Sequence, residues 1–184
     1  MTSLRRRPWA GPLRLSFIRS QSGVAAVEFA LIAPVLILLM AGSFEIGRAL
    51  QSVQAVNKLA SQYAIAWADC TDEPAGTCNT ELSQYTNANA IANLAPQLSN
   101  TVTLQMFQVT MSGTTPTVVY SYPTGGTLTS TQIAAAQSVL QTSGQSGVIV
   151  TVSYTYKIAI FSGVLANLVP TTIPMTYTIA QLKA

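Results

Sequence analysis

The stretch RSQSGVAAVEFALIAPVLILLMAGSFEIGR, residues 19–48, decides the fold, because it carries an apolar run of bilayer length in a chain of 184 residues. From Val24 to Phe44 there are 21 residues, and Glu28 is the only ionisable one. Coiled as a helix at 1.5 Å per residue, such a run reaches about 30 Å, the thickness of a hydrocarbon core. Pro34 lies inside it and lacks an N–H, so the Ala30 carbonyl loses its helical partner and a kink or loosened turn is expected. A secretory signal peptide cut near Ala41–Ser43 is the competing reading. Against it, signal-peptide cores run to about 7–15 residues, and this run is longer and acidic at its start.

Charge is sparse, at 8% of residues against a usual ~25%. Arg5, Arg6, Arg7, Arg14 and Arg19 all precede the run without an accompanying acid. From Val24 onward four basic residues face six acidic ones, so the pI near 9.0 belongs to the leader. Arginines flanking a span are retained in the cytoplasm, which puts residues 1–23 there and the C-terminal body across the membrane. Nucleic acid is not an expected partner, since few aromatic residues interleave the leading arginines and an apolar span follows close behind them. The chain has no histidine, which removes His-dependent triads and imidazole zinc sites, and two cysteines cannot complete a four-ligand metal centre. No catalytic residue, cofactor, metal or small-molecule substrate is expected.

A carboxylate within a membrane helix is costly unless it meets a partner, and no lysine or arginine lies one helical turn from Glu28. Glu28 could sit near the interface, protonated or reaching toward water. Cleavage after Gly23 offers another partner, because the new Val24 ammonium would lie four residues, about 6 Å of rise, from the carboxylate. Parallel helices staggered along their axes could then pair the Glu28 of one with the amine of the next, making the glutamate an assembly register.

A basic leader, Gly23, the apolar Val24–Val27, then Glu28 and Phe29, resembles the class III signal peptide of type IV pilins and pseudopilins. The longer string GVAAVEFALIAPVLILLMAGSFEIGRAL, with Pro34 and the later Glu45-x-x-Arg48, resembles the TadE-like family, minor pseudopilins of the tight-adherence (Tad, Flp pilus) system, over roughly residues 19–60. The resemblance implies cleavage by a prepilin peptidase between Gly23 and Val24 at the inner membrane of a bacterium. It also implies a periplasmic body, with other pilins, pseudopilins and the inner-membrane assembly platform as partners. Phe29, where the short major pilins usually carry Tyr, and the large body point to a minor component. An uncleaved signal-anchored envelope protein is the alternative.

Beyond Glu45, the apolar positions Ile46, Ala49, Val53, Val56, Ala60, Tyr63 and Trp67 form a heptad stripe, which extends the helix to about residue 68. Glu45 and Arg48 read as an ordinary surface pair. Cys70 and Cys78 bracket the turn formers Asp72, Pro74 and Gly76. In an oxidising periplasm they would close a nine-residue loop, worth about 2.5 kcal/mol. Leu82, Tyr85, Ala88, Ile91 and Leu94 predict a helix capped by Asn79 and stopped by Pro96.

Alternation follows. Val102, Leu104 and Met106 change parity at Phe107, Val109 and Met111, which predicts a bulge within one strand. Val118, Tyr120 and Tyr122 predict a second strand, and the capping box Thr129/Gln132 a short helix through Leu140 that Gly144 can end. Val148 to Ile160 share one face at every second residue, and Ile173, Met175, Tyr177 and Ile179 repeat the pattern with Pro174 marking an edge or strand start. The expected architecture is α+β and pilin-like, with a long N-terminal transmembrane helix packed on an antiparallel sheet of about four strands with short helical insertions. The expected divisions are a leader at 1–23, a span at 24–44 and a body at 69–184. From Leu82 to Ala184 the only charges are Lys157 and Lys183, a surface that offers little repulsion to a partner.

Overall fold

The computed structural model describes residues 21–70, 77–98, 102–160 and 170–183. The five leader arginines and the turn residues Asp72, Pro74 and Gly76 lie outside these. The elements are α1 (Gln21–Ala68), α2 (Thr77–Gln84), α3 (Ala88–Leu94), β1 (Thr103–Ser112), β2 (Thr115–Tyr122), α4 (Ser130–Val139), β3 (Ser146–Lys157) and β4 (Thr172–Leu182). The chain is α+β, as its sequence patterns predict. It divides into two units between Ser43 and Phe44.

In the first unit α1 is helical through Pro34, so the missing N–H is absorbed without ending the helix. Its most apolar window has a mean hydropathy of 2.5 and is not buried within the chain.

The second unit is built on one antiparallel sheet of order β2-β1-β3-β4. Val56, Leu59, Ala60, Tyr63, Ala64 and Trp67 of α1 form the main core with Leu104, Met106, Val148, Val150, Val152, Tyr154 and Tyr156. Trp67 meets Tyr120 edge-on, with ring centroids 5.7 Å apart. Most of the predicted stripe faces the core, Ala49 included, and two of its positions do not. Val56, Ala60, Tyr63 and Trp67 are buried, but Ile46 and Val53 face outward at 63% and 38% exposure, and Glu45 and Ser52 take the inward positions.

The parity change in β1 also has a different cause from the one predicted. β1 pairs with β3 without a break from Thr103 to Thr110, and the register irregularity, between Gln108 and Val109, is against β2 alone. Parity switches because both faces of the sheet are covered. Phe107, Val109, Met111 and Ile149 form a second cluster with Ala136 and Leu140 at the α4 side. α4 starts with the predicted capping box, Thr129 with Gln132. The buried Gln132 amide also donates to Thr151 Oγ1 at 2.9 Å, and that hydroxyl lies 2.9 Å from Thr178 Oγ1. A polar chain thus runs from α4 across β3 to β4. The helix ends at Leu140 rather than at Gly144, whose positive φ of 87° serves the following turn.

The single helix predicted over residues 79–94 is two. Asn79 lies inside α2, and Asn87 caps α3 by accepting from Ala90 N at 2.8 Å. Tyr85 and Leu94, predicted on its apolar stripe, are exposed. Pro174 lies on β4, an edge strand, where its missing N–H costs no ladder bond. Ile160, past the end of β3, is 39% exposed and leaves the shared face that Val148–Ile158 keep.

Candidate functional site

The processing and register residues read from the sequence lie on one helix. Gly23 and Val24 stand near the start of α1, and Val24, Glu28 and Phe29 are exposed. Val24 and Glu28, four residues apart, share a helix face. A Cβ added at Gly23 would meet no atom within 4 Å, and glycine inside a helix costs about 1 kcal/mol relative to alanine. Nothing in the packing of the described residues calls for glycine there. Cys70 and Cys78 are joined in a disulfide with Cα atoms 5.9 Å apart, tying the end of α1 to α2.

The sequence reading missed a buried carboxylate of the second unit. Glu45 is not in a surface pair with Arg48. It is 5% exposed, and its Oε1 accepts from the Tyr156 hydroxyl at 2.6 Å and from the Ala159 backbone N–H at 3.1 Å. The i, i+3 spacing to Arg48 was the only local signal, and it pointed to the wrong partner. The contact that matters spans 111 residues of chain. Burial opposes ionisation of Glu45. The Tyr156 hydrogen bond, those of the Ala159 and Ile160 backbone, and the Arg48 charge outweigh it, so the carboxyl titrates below its ordinary value. The same contact acts in reverse on Tyr156, whose phenol is pushed up to about 12 by burial and by the Glu45 carboxylate.

Beside this contact lies an open cleft of about 370 Å³ whose lining includes Arg48, Gln51, Gln97, Tyr154, Tyr156 and Lys157. A neighbouring cleft shares Gln51 and Gln97 and adds Gln54 and Lys58. Among the described residues, neither lining holds an acidic side chain. Among the described residues, no group of three or more His, Cys, Asp or Glu side chains could hold a metal ion.

Comparison with known proteins finds one family, described as TadE-like protein, matching residues 23–64. The match covers Gly23, Glu28, Pro34, Glu45 and Arg48 and ends within the part of α1 that packs on the sheet. No curated protein and no solved structure matches the chain.

Proposed function

We propose, on the premise that residues 23–64 are a TadE-like segment, that this chain is a membrane-anchored minor pseudopilin of a Tad-type pilus system. A prepilin peptidase cuts it after Gly23. Residues 24–44 then hold it in the inner membrane with the body in the periplasm, and Glu28 sets the stagger against neighbouring helices. Other pilins, pseudopilins and the assembly platform are its partners, and its role is structural.

The observation that carries this reading is Gly23 itself, followed at the fifth position by Glu28 at the head of an exposed apolar helix, where the fold makes no demand for glycine. The outward strip Ile46, Leu50 and Val53, spaced i, i+4, i+7, extends an apolar face past the span and supports helix-to-helix assembly.

The test is the intact mass and N-terminal residue of the protein purified from its host's membranes. A chain beginning at Val24 is expected. One beginning at Met1 would replace this reading with an uncleaved signal anchor, and one beginning near Phe44 with a removed signal peptide.

A further inference from the structure

We propose that the cleft between α1 and the end of β3 binds the phosphodiester headgroup of an anionic phospholipid in the leaflet from which α1 emerges. This assignment rests on reading residues 24–44 as a membrane span. Arg48 follows Phe44 by four residues of one helix, about 6 Å of rise. The headgroup layer adds roughly 5–7 Å to each side of the hydrocarbon core, so Arg48 stands at headgroup depth. Lys157 lines the same cleft from the end of β3.

Glu45 lies one helical turn from Arg48 and interacts with its charge, but its Oε1 is committed to Tyr156 and Ala159 inside the protein. It therefore leaves Arg48 without a carboxylate in the cleft lining, while its buried charge still counts in the local field. Two cations and one anion leave a net charge of +1 around the cleft, which complements a phosphodiester monoanion. Phosphate monoesters carry about −1.5 to −2 at neutral pH and would be under-neutralised. The Gln51 and Gln97 amides can donate to phosphate or glycerol oxygens, and the ring of Tyr156, its hydroxyl already engaged, leaves an apolar wall for the glycerol carbons. Lys58, in the adjoining cleft, lies fourteen residues beyond Phe44, about 21 Å, and is out of reach of a headgroup. An acidic protein segment lying along both clefts would use it.

The test is native mass spectrometry of the full chain in detergent with phosphatidylglycerol or phosphatidylcholine. Two surface cations favour the anionic lipid by roughly thirtyfold. R48Q/K157Q should abolish that preference, R48K/K157R should keep it, K58Q should leave it unchanged, and millimolar inorganic phosphate should fail to displace the lipid. Equal retention of the two lipids, or a preference that survives R48Q/K157Q, overturns the proposal. Displacement by phosphate reassigns the cleft to a free anion, and loss through K58Q alone reassigns it to an acidic partner. Carbonate extraction of host membranes reports separately on the span: a chain released by carbonate refutes the span whatever the cleft binds in detergent.

Discussion

At the scale of single residues, Glu45 is the informative side chain. Folding lowers its pKa from an ordinary 4.5, so folding favours the charged form. Its stabilisation is complete above about 4.5 and is lost as pH falls through the lowered folded value. Tyr156 runs the other way. Its pKa is raised from 10.0 to about 12, so its contribution is complete below 10 and is lost as pH climbs toward 12. Glu45→Gln should therefore flatten the acid limb of unfolding free energy against pH. Glu45→Ala, which leaves the Tyr156 hydroxyl and Ala159 N–H without an acceptor, should cost about 1–3 kcal/mol at neutral pH. Denaturant unfolding of the full chain in detergent across pH measures both, and an unchanged acid limb in Glu45→Gln would acquit Glu45. Glu28 is the complementary case, an exposed acid near the start of α1. Glu28→Gln should leave processing at Gly23 intact and reduce assembled pilus. Full piliation in that variant would remove its register role.

At the scale of elements, adjacent helical stripes compete. Ala49, Val56, Ala60, Tyr63 and Trp67 fit both the predicted face and the observed one, and toward the N-terminal end the inward positions fell to Ser52 and to Glu45, which finds Tyr156. α4 shows a sequence signal with a second use. Gln132 was legible as the N3 member of a capping box, accepting from Thr129 N at 2.9 Å, but its amide also reaches Thr151 and Gln105. Gln132→Ala should cost more than a lost cap, about 2–3 kcal/mol, because Thr151 loses a buried partner as well. Thr129→Ala, which loses only the cap, should cost about 1 kcal/mol. Equal losses in the two variants, measured by thermal unfolding, would mean that the sheet contact contributes nothing. Close approach limits this layer elsewhere. A Cβ at Gly147 would lie 2.7 Å from the Gln181 carbonyl oxygen and 2.8 Å from Leu140, so α4, β3 and β4 meet where only glycine fits.

At the scale of the whole molecule, the two units present different surfaces. The first carries exposed apolar side chains such as Leu31 and Met40, at 72% and 78%, which in water would be a large unpartnered surface. The second closes its own cores on both faces of the sheet. Three of its four cations, Arg48, Lys58 and Lys157, line two adjoining clefts. That convergence brings together residues as far as 109 positions apart, and no window of sequence contains it.

What the sequence determined by itself was everything with a short period: the apolar run, the alternation along β3 and β4, the Thr129/Gln132 box, the edge position of Pro174 and the α+β class. Each is encoded within a few consecutive residues, where backbone geometry alone sets the spacing of side chains. Tertiary structure decided the inward positions of α1 at Glu45 and Ser52, the burial of β1 on both faces, the break between α2 and α3 and the Glu45–Tyr156 contact. In each of these, local patterns allowed two nearly equivalent answers. The choice between them was made by hydrogen-bond partners and apolar surface brought from distant parts of the chain, because burying the Glu45 Oε1 is offset only where donors such as the Tyr156 hydroxyl lie within reach.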